Sequence, residues 1–276
     1  MEYLMTYGWA ILIIAIVLVA LFSLGVFNSA NFAPKAPPGS CQVFRPNGPG
    51  TTFDLNLEGE CNGELPQYVA EFNGQGFITL PFAWQEYDFY LGPNAAPYNS
   101  VAFYGGSTWE YGGTVSLNSW QFICASNDAN TVDPHGLNIY LNGVLVESSS
   151  GENGQGNTAT SVCAWVYPTD LTTYRPVMAH WDGTTESNIG TRNGNNGNGA
   201  FQGSIANIQI YNTSISSNDI QTLYTEGIGG APIDILHIAG WWPLNGNAND
   251  YSGNQNNGVA TSMVYTTSWS NGYTAP

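Results

Sequence analysis

Positive charge is what this chain most lacks. Its 276 residues include only four basic side chains, Lys35, Arg45, Arg175 and Arg192, against 20 Asp and Glu, for a formal net charge of −16. Nucleic-acid binding depends on Lys and Arg neutralising phosphates, so that class of function is excluded. An anionic membrane surface repels such a body too. Charge of either sign is scarce, at 9% of the residues, where about a quarter is usual. The solvent-facing surface must therefore be made of Asn, Ser, Thr and Gly. That composition suits an exposed, repeatedly contacted wall better than a cytosolic enzyme.

Cysteine and histidine are sparse as well. The four cysteines are Cys41, Cys61, Cys124 and Cys163. No Cys-x-x-Cys or Cys/His cluster occurs, and His135, His180 and His237 lie far apart in sequence, so a zinc site has little support. An even number of cysteines fits disulfides, and we read the pairs as Cys41–Cys61 and Cys124–Cys163. Four cysteines allow three pairings, and sequence alone does not choose among them. The second pair requires its two strands to be neighbours, and buried free thiols are the competing reading. A Gly-x-Ser-x-Gly elbow, a phosphate loop and an ordered Ser/His/Asp set are all missing.

What is present begins at the N-terminus. The stretch Met1-Glu2-Tyr3-Leu4-Met5-Thr6-Tyr7-Gly8-Trp9 leads into an uncharged apolar run from Ala10 to Leu24 that ends at Gly25-Val26-Phe27. As a helix, Trp9 to Phe27 spans about 30 Å of hydrocarbon. A signal peptide would carry a basic front, and here the front carries Glu2 instead. A plain membrane anchor explains the length but not the carboxylate, which at the edge of an apolar helix needs a partner. In a bundle of such helices that partner would be the N-terminal ammonium of a neighbouring subunit.

Residues Met1 to Ile14 resemble the N-terminus of archaeal type IV pilin-like proteins with a class III signal peptide. In that family a basic leader is removed by a prepilin peptidase, and the glutamate follows a few residues into the mature helix. Here Glu2 is second, so the match starts inside the family pattern. The resemblance implies a filament core built from residues 1–27, with Glu2, Tyr3, Trp9, Leu12, Ile16, Val19 and Phe22 as assembly contacts. It also implies partners: identical subunits in a helical array, the prepilin peptidase, an assembly ATPase and a platform protein. The subunit would sit in the membrane before assembly and in an extracellular filament afterwards.

Residues 28–40, with Pro34, Pro37 and Pro38, read as a short stiff linker. Residues 41–276 read as one β domain. Alternation marks Gln67–Phe72, Gly76–Leu80 and Ser204–Tyr211 as strands, and Asn142-Gly143 between two apolar runs marks a hairpin. Only Ser216 to Tyr224 looks helical, capped by Ser216 or Ser217 with Asp219 in the first turn. Many short strands with Gly/Asn turns indicate a sandwich.

The body resembles the laminin G-like, concanavalin A-type jelly roll. The residues carrying this are Tyr68–Gly74, Trp120–Phe122, Ile139–Val146, Cys163–Pro168, Phe201–Asn212 and Trp242–Gly246. The fold class expected is thus mainly β, a long N-terminal apolar helix followed by a laminin G-like β-sandwich. The order departs from the family: the Gly240–Asn254 segment, which usually opens such a domain, comes last. Circular permutation is one reading; donation of the last strand to a neighbour's sheet is the other.

Many members of this family bind glycans, often with calcium. The resemblance implies no required cofactor, with calcium at Asp250 and Asn247 as the candidate metal site. Asp128 and Asp133 occupy a second acidic turn; in both places Asn, Asp and Gly also serve simply as turn formers. Family glycosidases carry carboxylates two residues apart on one strand face, and a retaining enzyme holds them about 5–5.5 Å apart. Glu86-Tyr87-Asp88 is the one partial match, with Tyr90 where a third carboxylate should stand. A solvated strand face accounts for that pair, so no catalytic residue is assigned and the chain is read as a non-enzyme. Trp84, Trp109 and Trp181 are loop-proximal candidates for sugar stacking, and Asn212-Thr213-Ser214 is an N-glycosylation sequon. The function expected is a structural, adhesive filament subunit. A membrane-anchored glycan-binding surface protein and a concanavalin A-like glycoside hydrolase are the alternatives.

Overall fold

The structure, a computed structural model, describes residues 13, 65–83, 87–92, 99–105, 109–128, 136–149, 160–180, 186–192, 199–270, 273–274 and 276. Apart from Ile13, the N-terminal apolar run, the linker, Cys41 and Cys61 lie outside them. Among the described residues no helix is long and apolar enough to cross a membrane.

The strands in chain order are β1 (Val69–Asn73), β2 (Phe77–Leu80), β3 (Tyr87–Leu91), β4 (Val101–Gly105), β5 (Trp109–Gly112), β6 (Gln121–Asn127), β7 (Leu137–Leu141), β8 (Val144–Ser149), β9 (Thr160–Pro168), β10 (Arg175–His180), β11 (Ser187–Ile189), β12 (Gln202–Tyr211), β13 (Ile238–Trp242), β14 (Val259–Thr261) and β15 (Val264–Thr266). They form two antiparallel sheets. The eight-stranded sheet runs β15-β1-β12-β9-β6-β7-β8, with β13 also paired to β12; the seven-stranded sheet runs β14-β2-β11-β10-β3-β4-β5. The fold is therefore mainly β and sandwich-like, with one α-helix, α1 (Ser217–Thr225), among the described residues.

Period-two alternation aims Ala70 and Phe72 of β1, Ile78 and Leu80 of β2, Phe89 and Leu91 of β3, and Val101 and Phe103 of β4 into the space between the sheets. The central strands β6 and β9 do not show that alternation outside: nearly every residue is buried. Their second face is covered too. Phe122, Cys124, Cys163, Trp165 and Tyr211 form a second apolar layer with Ile220 and Leu223 of α1, with Ile228 and Ile233 after it, and with Trp269.

Local chemistry sets the connections. Asn142 and Gly143 take left-handed φ values of 51° and 75°, which a two-residue hairpin turn needs and which Asn and Gly tolerate. The Asn142 side-chain oxygen also accepts the N–H of Phe122 at 2.9 Å, tying the turn to β6. Helix α1 starts at a reciprocal cap: Ser216 accepts from the Asp219 N–H, and the Asp219 carboxylate accepts from the Ser216 N–H. The C-terminal segment closes the sheets of its own chain, with β13 on β12, β14 on β2 and β15 on β1. Strand donation to a neighbour is thus not needed to complete them.

A buried polar network fastens the 226–237 loop to β12. Asn207 sits at a bulge with φ 50°. Its amide donates to the Gly230 carbonyl at 2.7 Å, and its side-chain oxygen accepts from Trp241 Nε1 at 2.8 Å and Gln209 Nε2 at 3.1 Å. The Tyr211 hydroxyl continues the chain, donating to Gln209 Oε1 at 2.5 Å and accepting the Ile233 N–H at 3.3 Å.

Candidate functional site

The outer face of the seven-stranded sheet is built by strand register. Thr79 of β2 faces Asn188 of β11, which faces Ala179 of β10, then Asp88 of β3, Tyr104 of β4 and Trp109 of β5. Because Ile78, Phe89, Met178 and Phe103 point inward, alternation turns this row outward. A second row sets Tyr90 beside Ala102 and Tyr111. Two side chains apart on one strand, Asp88 with Tyr90 and Trp109 with Tyr111 share the face.

One half of the face is aromatic. The Tyr90 ring packs edge-on against Trp109 at 5.1 Å and Tyr174 at 5.8 Å between centroids. Trp109 lies 5.2 Å from Tyr104 and nearly parallel to Tyr111, at 11° and 6.2 Å. Tyr90 itself is fully covered, whereas Tyr111 is 36% exposed. The result is a ring platform supported from below, the arrangement that stacks on the C–H face of a sugar or another flat ligand.

The other half is polar. Asp88 is only 2% exposed. Its Oδ1 accepts the His180 N–H at 3.1 Å, and its Oδ2 lies 3.7 Å from Arg192 Nε. The Arg192 side chain keeps 41% of its surface in solvent, so the ion pair places a charged donor edge at the surface beside the rings. Asn188 donates to the Arg192 carbonyl at 3.5 Å and accepts from Thr79 Oγ1 at 3.1 Å. Burial, then the neighbouring Asp88 carboxylate, holds the Tyr90 phenol well above its ordinary range. The hydroxyl is buried on the Asp88 side of the face, and the interaction with that carboxylate adds to the upward shift.

The structure corrects one expectation here. Asp88 does not lie on a solvated strand face; Arg192 and the His180 N–H hold it in the sheet's outer layer. Glu86, Trp84, Trp181 and Asp133 lie outside the described residues, as do Glu2, Tyr3, Trp9, Leu12, Ile16, Val19 and Phe22. Trp109 is the first residue of β5. No local motif marks Tyr104, Tyr174 or Arg192 as site residues; strand register and packing bring them to this face.

The candidate calcium turn is organised differently from an oxygen cage. Asp250 Oδ1 accepts the N–H groups of Trp241 and Ser252 at 3.0 and 2.9 Å. Asp250 Oδ2 accepts the Asn256 N–H and the Ser252 hydroxyl, each at 2.9 Å. Asn247 Oδ1 accepts the Asn249 N–H at 2.9 Å, and its amide donates to the Tyr251 hydroxyl at 3.1 Å. Donor hydrogens, not oxygen ligands, thus surround the carboxylate, the reverse of what Ca²⁺ requires. Among the described residues no group of three His, Cys, Asp or Glu side chains gathers for a metal. Asp128 is exposed at the end of β6, and Asn212 is exposed between β12 and α1. Cys124 and Cys163 stand directly opposite across β6 and β9, Cα atoms 4.1 Å apart, and are joined by a disulfide.

No family model matches the chain, and no curated protein does. Among solved structures it is similar to a candidate carbohydrate-binding protein from Bacteroides ovatus ATCC 8483, with 12% identity and a TM-score of 0.44. The match covers 73% of this chain and spans 60% of the length of that one.

Proposed function

We propose that this chain is a structural subunit of an extracellular, archaeal type IV pilus-like filament. Residues 1–27 bundle in the filament core, and the β-sandwich forms the outer wall with an adhesive, glycan-binding face. The N-terminal sequence carries the filament part of the reading: an uncharged apolar run behind a single Glu2 fits helices packed along a common axis, with the carboxylate paired to a neighbour's N-terminus. The aromatic platform beside the Asp88–Arg192 pair supports the glycan part. Rings supply contact area for a sugar's apolar face, and the guanidinium supplies donors for its hydroxyls.

Electron microscopy of sheared cell-surface material tests the assembly. Fibres with a helical core and one sandwich per subunit outside are the expected result, and Leu12→Asp should abolish them while leaving the sandwich folded. Normal fibres in that variant would defeat the bundle. The second reading, a membrane-anchored glycan-binding protein, shares the same outer face. Detergent-soluble particles without fibres would favour it.

A further inference from the structure

A pocket of about 360 Å³ opens on the other side of the sandwich, against the outer face of the eight-stranded sheet. Its floor follows the register: Glu71 of β1 faces Ser204 of β12, which faces Tyr167 of β9. Asn73 faces Gln202 in the next outward row. Trp120, Trp269, Thr266 and Ser268 make the wall.

The wall is fixed before any ligand arrives. Trp120 Nε1 donates to the Trp269 carbonyl at 3.0 Å, and Trp269 Nε1 donates to the Pro66 carbonyl at 3.0 Å. The Trp120 ring lies 5.6 Å from Tyr167 and 6.0 Å from Trp269. Thr266 Oγ1 accepts the Ser268 N–H at 3.2 Å, holding the rim. The floor is the opposite, rich in unspent hydrogen-bonding capacity. Ser204 is 9% exposed, and its hydroxyl bonds to no described residue. The side-chain polar atoms of Glu71, Tyr167 and Gln202 likewise make no hydrogen bond to the described residues. The Ser204 hydroxyl is open to the pocket, so a bound water or a hydroxyl of a ligand meets it there.

The chemistry of the lining narrows that partner. A floor of carboxylate, hydroxyls and amide rejects an apolar ligand, whose burial would leave these groups unpaired. Glu71, with no cationic residue beside it among the described lining residues, rejects an anion. Mixed donors and acceptors beside ring edges match a compact polyhydroxylated molecule, and the volume lies at the small end for ligand sites. We propose that this pocket binds a single hexose-sized sugar residue, neutral or amino-bearing and not acidic, at a site separate from the aromatic platform. Two sugar sites on opposite faces would let one subunit bridge two glycan chains.

Full-length protein in detergent, labelled with ¹⁵N at tryptophan, provides the test. Glucose, glucosamine and glucuronate are titrated in turn while the indole N–H signals of Trp120 and Trp269 are followed. Glucose and glucosamine should shift both signals saturably, with dissociation constants on the order of millimolar. Glucuronate should shift neither, and Glu71→Gln should erase that discrimination. Ser204→Val should weaken binding about tenfold, as should Gln202→Ala at the less buried edge should the valine variant not fold. Trp109→Ala should leave the shifts intact, which separates this site from the platform. Absence of a saturable shift with glucose and glucosamine, or unchanged affinity in folded Ser204→Val or Gln202→Ala, overturns the proposal.

Discussion

Removing the Cys124–Cys163 bridge should cost the sandwich about 4 kcal/mol. The two residues are 39 apart in sequence, and closing a loop of that length in the unfolded chain removes about 13 cal/mol/K of entropy, roughly 3.9 kcal/mol at 25 °C. Alanine at both positions restores that freedom to the unfolded state and leaves the β6–β9 ladder, held by seven register pairs from Gln121–Val166 to Asn127–Thr160, in place. For a domain of this size each kcal/mol moves the melting temperature by about 2–4 °C, so the variant should melt about 8–16 °C lower. The assay is thermal unfolding of full-length protein in detergent, followed by tryptophan fluorescence, with Cys124→Ala/Cys163→Ala compared against wild type. A double variant serves better than a reductant, which would act on any bridge at Cys41 and Cys61 as well. A shift under about 2 °C would refute the reasoning, because it would mean either that the bridge is not formed or that the unfolded chain is already held by other contacts.

Asn207→Gly keeps the left-handed backbone but strips the hub from Gly230, Gln209 and Trp241; it should destabilise by about 2–3 kcal/mol and open the 226–237 loop to proteolysis, read by limited digestion. Alkaline unfolding should set in above pH 10, the ordinary tyrosine range. Burial holds Tyr211 far above that range and Tyr265 at about 12, so above pH 10 the unfolded state loses protons that the folded state keeps, and stability falls as pH rises towards the folded values. Tyr265→Phe should flatten that fall in a pH series of denaturant melts, and an unchanged slope would remove Tyr265 from the account. Trp109→Ala should abolish glycan binding on the seven-stranded face without lowering stability by more than about 2 kcal/mol, measured on a glycan array beside a melting curve.

Features set within a few residues were legible; features set by register were not. The Asn142-Gly143 turn, the Ser216 cap with Asp219, and the alternation in β1 and β2 each depend on neighbours no more than four positions away, and each formed as its residues dictate. Asp88 shows the other case. Its two-residue spacing from Glu86 favours an open strand face, yet its burial comes from His180 and Arg192, about a hundred positions along the chain. The full burial of β6 and β9 was likewise hidden, because it comes from a layer contributed by α1 and the segments that follow it. The same dependence explains why both candidate sites are rows rather than motifs. Asp88 and Phe89 are adjacent, but one faces the platform and the other the core. A one-residue slip of β3 against β10 would exchange them, sending a phenyl ring to the surface and a carboxylate into the apolar core. The core therefore enforces the register that aligns Asp88 with Tyr104 and Trp109, and on the opposite sheet Phe72 does the same for Glu71 and Ser204. The binding faces are positioned by the hydrophobic residues that point away from them.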